Sequence, residues 1–217
     1  MTRIVIQVIC MALLLQSCSP GFGKLEAAQS QGQARKQVAM TKNQDVAAVR
    51  QRVKNFLISW LIQRDDKKAI QFFSEQAFSN EVLFHESCAG YIKDEARKSK
   101  EAVRRGVEKF LADFYASAKP KTLSEALGVQ QVITMAQQLK DKVVNNVNAD
   151  RFLLIYLRPE EVRSLTEKPE AALFLKEHLP SQGFYVSFVS VGQGTSFFFW
   201  IKEGETWRIF HAALICI

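Results

Sequence analysis

The chain has 217 residues, 47 % of them hydrophobic with 16 Phe, and a net charge of +7. That apolar content excludes disorder for most of the chain and supplies the core of a single domain. The basic surplus reads either as plain solubility or as attraction to an anionic surface.

The first eighteen residues, MTRIVIQVICMALLLQSC, place Arg3 before an apolar run from Ile4 to Leu15 and end in small residues and Cys18. This is the layout of an export signal, and the run is short for a bilayer span. Leu15-Gln16-Ser17-Cys18 resembles the lipobox of bacterial lipoproteins, with Gln16 as the departure from the pattern. The resemblance implies cleavage before Cys18, lipidation of that cysteine and durable attachment to a membrane. Ser19 stands where an aspartate would favour inner-membrane retention, so the expected location is the periplasmic face of the outer membrane. The alternatives are a later cut within Leu25-Glu26-Ala27-Ala28, which discards Cys18, and an uncleaved anchor. Export removes nucleic acid from the expected partners and leaves anionic lipid or envelope polymer as the counter-charge.

Residues 19–44 are rich in Gln, Ala, Gly and Lys and read as a flexible tether, after which residues 45–217 form one domain. Asn43 or Asp45 is placed to cap a first helix. Val46, Val49, Val53, Phe56, Leu57, Trp60 and Leu61 then fall at helical spacing. After Arg64-Asp65-Asp66-Lys67-Lys68, a second helix is expected to carry Ala69, Ile70, Phe72 and Phe73 up to Phe78. An irregular stretch holds His85, Cys88 and Tyr91. A third helix buries Val103, Val107, Phe110, Leu111 and Phe114, with a solvated face between Lys93 and Lys109.

Thr122-Leu123-Ser124-Glu125 has the form of a capping box for a short helix that stops near Gly128. Residues 129–150 are polar and read as helix or loop. Arg151–Arg158 is the first strand, stopped by Pro159, and Pro169 opens a helix that Pro180 ends. Strands at Phe184–Val191, Ser196–Lys202 and Trp207–Cys216, joined by turns at Gly192–Gly194 and Glu203–Glu205, make an antiparallel meander. Helices first and a meander last define an α+β layer, not alternating βαβ units.

Four cysteines are present. With Cys10 in the signal and Cys18 lipidated or removed, Cys88 and Cys216 remain in an oxidising compartment. They are either a disulfide, worth about 4–5 kcal/mol for so long a loop in the chain-entropy description, or two packed free thiols.

The opening pair, FLISWLIQRDDKKAIQFFSEQAF, and the close, SFFFWIKEGETWRIFHAAL, resemble the NTF2-like, or SnoaL-like, cone fold. Segment 119–180 is longer and more helical than the family carries there and reads as an insertion. The resemblance implies a curved, mainly antiparallel sheet wrapped around the N-terminal helices, with a pocket between them and a second subunit on the outer sheet face. Period two agrees that both faces are apolar: Phe197, Phe199 and Ile201 point one way, Phe198 and Trp200 the other. The second face therefore needs a cover, from the insertion or from a homodimer.

No HExxH, CxxC, GxSxG, P-loop or dinucleotide fingerprint occurs, so no cofactor is implied, and the three histidines are too scattered to propose a metal site. His211, alternating with Trp207, Ile209, Ala213 and Ile215, is expected on the enclosed side of the last strand, where a neutral imidazole can act as a base. His85, near Glu86 and Tyr91 at the expected pocket mouth, is the second catalytic candidate. For both, the alternative is a residue with no chemical role: a backbone-bonded core histidine for His211, a surface one for His85. Phe56, Trp60, Phe73, Tyr91, Phe199 and Trp207 are expected to line a pocket for a small apolar ligand. Three functions follow from the sequence. They are a non-catalytic binding domain for such a ligand or an envelope partner, a cofactor-free lyase, isomerase or hydrolase using His211 or His85, and an assembly module of an envelope complex.

Overall fold

The computed structural model describes residues 45–78, 99–113, 119–159, 180–192 and 194–216. The signal, the tether, His85, Cys88, Tyr91 and the helix expected after Pro169 lie outside the described residues, as does the side chain of Cys216.

The apolar stripe read from the sequence buries one face of helix α1 (45–57), with Val49, Val53, Phe56 and Leu57 fully enclosed. The helix runs on through a wider turn, Ile58–Gln63, and stops at Arg64, whose φ of 55° is left-handed. Asp45 is already helical, and its carboxylate accepts a hydrogen bond from Lys202 Nζ at 3.0 Å. Asp65 caps the next helix, α2 (Asp66–Ala69), by accepting from Lys68 N at 2.9 Å.

The second helix does not continue to Phe78 as its composition predicts. A single tight turn, Ile70–Phe72, follows α2, Phe73 is extended, and a further tight turn spans Glu75–Phe78. The competitor is the sheet edge. Phe73 bridges Ile209 and Ser74 N donates to Ile209 O at 2.8 Å, so this backbone satisfies itself outside a helix. Helix α3 (Lys100–Asp113) buries Val103, Val107 and Leu111, and Trp60 Nε1 donates to the Leu111 carbonyl at 2.8 Å.

The inserted segment opens with α4 (Leu123–Ala126). Thr122 Oγ1 accepts from Glu125 N, while the Glu125 carboxylate reaches back to Lys121 N. Strand β1 (Leu127–Gly128) follows, then α5 (Gln130–Leu139), a tight turn at Lys140–Lys142, α6 (Val147–Asp150) and β2 (Leu153–Leu157). Strands β3 (Phe184–Val191), β4 (Gly194–Glu203) and β5 (Thr206–Cys216) complete a curved, unclosed antiparallel sheet. β4 lies between β3 and β5, and β1 and β2 share the other edge of β3. Gly204, at φ +58°, takes the first central position of the β4–β5 turn, where only glycine is at ease. The protein is thus α+β, with its N-terminal helices packed on the sheet.

Both sheet faces are apolar and both are covered. Tyr185, Val189, Phe198, Trp200, Trp207 and Ile209 meet α1 and α3. On the opposite face Leu153, Ile155, Leu157, Phe184, Val186 and Phe188 share a cluster with Val132 and Leu139 of α5. The cover over this part of the second face is therefore the chain's own insertion.

Candidate functional site

The expected pocket wall is a packed layer of rings. Phe56 lies 4.9 Å from Phe198, 5.6 Å from Trp60, 5.7 Å from Phe72, 5.9 Å from Trp200 and 6.1 Å from Phe73, centroid to centroid. These are ordinary edge-to-face and offset contacts between neighbours. Phe56, Trp60 and Trp200 are fully buried, Phe73 and Trp207 nearly so. Four of the six expected lining residues (Phe56, Trp60, Phe73 and Trp207) do meet in one cluster, but as core.

Phe199 is not among them. It belongs to the opposite face, 6.1 Å from Phe210 and 6.3 Å from Phe184. Period two demands this, because its neighbours Phe198 and Trp200 are the residues that reach Phe56. The sheet side of that layer is therefore Phe198 and Trp200.

His211 also lies elsewhere than alternation predicts. Phe199 pairs with His211 but Trp200 pairs with Ile209, so β5 carries a bulge at Phe210. The extra residue reverses the parity of the strand. Trp207, Ile209 and Ala212 face the helices, while Phe210 joins the second-face cluster and the His211 ring lies tilted against Phe199, 5.0 Å between centroids. His211 is only partly buried and sits across the sheet from Trp207, not beside it.

Three polar features punctuate the helix-facing layer. Trp200 Nε1 donates to Ser187 Oγ at 2.9 Å in the interior. Trp207 Nε1 is buried with no hydrogen-bond partner among the described residues. Burial pushes the Tyr185 hydroxyl well above the usual phenol range, and the Asp45 and Tyr156 charges push it the same way.

A buried ionic cluster joins α1 to the insertion. The Asp150 carboxylate, with a fully buried side chain, takes Arg50 Nε at 2.6 Å, Arg50 Nη2 at 2.7 Å and Lys54 Nζ at 2.7 Å. Asn145 Nδ2 adds a bond of 3.0 Å and also donates to Phe152 O. Burial alone would raise the Asp150 pKa, but the hydrogen bonds from Arg50, Lys54 and Asn145 outweigh it and hold the carboxyl below its ordinary range. Arg50 and Lys54 stand one helical turn apart, which brings both to one carboxylate. That spacing was visible in the sequence; the partner, 100 residues on, was not.

Among the described residues no helix is long and apolar enough to cross a membrane, and no three His, Cys, Asp or Glu side chains are grouped to hold a metal ion. No protein-family model, curated protein or solved structure matches the chain.

Proposed function

We propose that the chain is an exported, lipid-tethered binding domain without catalytic activity, which residues 19–44 and Cys18 present to a cell-envelope partner. The observation that carries the choice of partner is the packing around Phe56. This side chain, central to the pocket expected for a small apolar ligand, is fully buried and touches five aromatic rings. A ligand there would have to displace core, so recognition falls to the outside of the domain. The position of His211, across the sheet from Trp207, supports the non-catalytic side of the reading. A cone-like, NTF2-like architecture is the fold-level part of the proposal, supported by helices that precede a curved antiparallel sheet. A homodimer through the outer sheet face draws no support, because Phe197, Phe199, Ile201 and Phe210 are buried within one chain.

The tether is tested by intact mass of the protein extracted from the membrane fraction, beside a Cys18→Ala control. The expected mass is that of residues 18–217 plus acyl chains; a mass lacking them removes the lipoprotein reading. The binding side is tested by titrating an environment-sensitive apolar dye onto the folded protein. No saturable site is expected, and saturable binding that Phe56→Ala weakens would restore the small-ligand function.

A further inference from the structure

We propose that Arg52 and Arg208 form a binding site for a phosphate group, at the place where α1, the turn Ile70–Phe72 and the start of β5 meet. Arg52 Nε donates to the Trp207 carbonyl at 3.2 Å, and its guanidinium lies 4.2 Å above the Phe72 ring. Arg208, the next residue after Trp207, donates from Nη1 to the Gln71 carbonyl, the residue before Phe72, at 2.9 Å. Two planar cations are thus anchored to the same two backbone segments, each fixed through a carbonyl oxygen.

Among the described residues their charges are not balanced. Arg208 Nε faces Glu203 Oε2 at 3.5 Å, while the other oxygen of Glu203 accepts the Ser74 hydroxyl. Arg52 has no carboxylate partner among the described residues, and both of its Nη groups, like Nη2 of Arg208, make no hydrogen bond to them. Burial and the neighbouring Arg208 charge both push the Arg52 pKa down, the electrostatic mark of two cations sharing one half-buried place. Among the described residues one positive charge is left over once Glu203 is counted. Three nitrogens of the two forks that make no hydrogen bond to the described residues suit the several oxygens of a phosphate better than the two of a carboxylate. Stacking on Phe72 and the carbonyl bonds hold the forks before any ligand arrives, which lowers the ordering cost of binding.

The site stands on geometry within the domain and does not depend on export or lipidation, so the mass experiment above and the test below fail separately. Phosphate binding is measured on the full chain in neutral detergent, by thermal shift and calorimetric titration against chloride at matched ionic strength. Inorganic phosphate is expected to bind, and Arg52→Gln and Arg208→Gln are each expected to weaken it at least about tenfold, the loss of one charge-assisted hydrogen bond. Arg52→Lys keeps a cation over Phe72 without the fork and is expected to bind about threefold or more weakly. If Arg52→Gln does not fold by circular dichroism, Arg52→Lys and Arg208→Gln decide.

Vesicles of phosphatidylglycerol and of phosphatidylcholine separate the two sources of such a group. A preference for phosphatidylglycerol that Arg52→Lys and Arg208→Gln abolish assigns the site to a lipid headgroup. Binding of inorganic phosphate without that preference assigns it to a soluble phosphate ester. Wild-type protein that distinguishes neither phosphate from chloride nor the two lipids overturns the proposal, as do folded variants that bind like wild type.

Discussion

Replacing Asp150 by Asn tests whether the buried ion cluster holds the insertion to the first helix. The wild-type carboxylate has no solvent contact and receives four hydrogen bonds, three of them from Arg50 and Lys54. Removing one partner of a fully buried ion pair costs about 3–5 kcal/mol, mostly because the other charge is stranded. Here the stranded groups would be Arg50, with a side chain 40 % exposed, and Lys54, at 29 %. Both can rehydrate, which places the expected loss at or just below the lower limit of that range, about 2–3 kcal/mol. For a chain of this size that corresponds to a melting temperature lower by roughly 4–12 °C. Urea unfolding at neutral pH measures it directly.

The pH dependence gives an independent check. Because the folded carboxyl titrates below its unfolded value, its contribution is complete above the ordinary aspartate pKa of about 3.9. It fades as pH falls through that value towards the lower folded one. The gap between wild type and Asp150→Asn should therefore be constant from pH 5 to 7, about one unit or more above the ordinary pKa, and shrink below it. A difference under about 0.5 kcal/mol at neutral pH, the range of an unremarkable surface substitution, would refute the reasoning.

Three further outcomes are expected. Gly183→Ala would put a Cβ 2.0 Å from the Tyr156 hydroxyl oxygen and 2.5 Å from its ring carbon, so it should destabilise by about 1–3 kcal/mol. In a double-mutant cycle that cost should largely vanish beside Tyr156→Ala; persistence there would locate the strain elsewhere. Trp60→Phe removes the donor to the Leu111 carbonyl and should cost about 1–3 kcal/mol, with faster amide exchange in Val103–Leu111 as the local readout. Phe56→Ala should cost about 3–5 kcal/mol in urea unfolding, the penalty of a core cavity; a near-neutral result would show that Phe56 borders open space.

Much of this architecture is legible in local pattern. The stripe from Val49 to Leu61, the capping box at Thr122 and the turn at Gly204 each follow from signals within a few residues. Helix α5 carries a weaker signal. Val132, Met135, Ala136 and Leu139 sit at helical spacing, but the stripe is narrow among glutamines because it covers only part of one sheet face. Strand β1 has no signature at all. It is two residues long, and Gly128 pairs with Ser190 so closely that an added Cβ would lie 3.1 Å from Ser190 Oγ. The ion cluster and the arginine pair join residues 100 or more apart, a distance over which no local rule operates.

The two largest departures from periodicity, the broken second helix and the reversed face of His211, meet at Ile209. Its carbonyl accepts Ser74 N–H and it bridges Phe73, so this contact both ends the helical run before Phe73 and occupies the outer edge of β5. The bulge at Phe210 follows immediately, on the strand that forms the sheet edge among the described residues, a common setting for an extra residue. Upstream of it, Trp207 and Ile209 must point at α1; downstream, small Ala212 takes the same face opposite Phe198. No glycine marks the place, because Phe210 fills the second face against Phe184 at 5.7 Å and loses no burial by being the extra residue. Counting by twos from Trp207 is sound for the strand and fails only across this one residue. That is enough to separate the imidazole from the tryptophan it was expected to accompany.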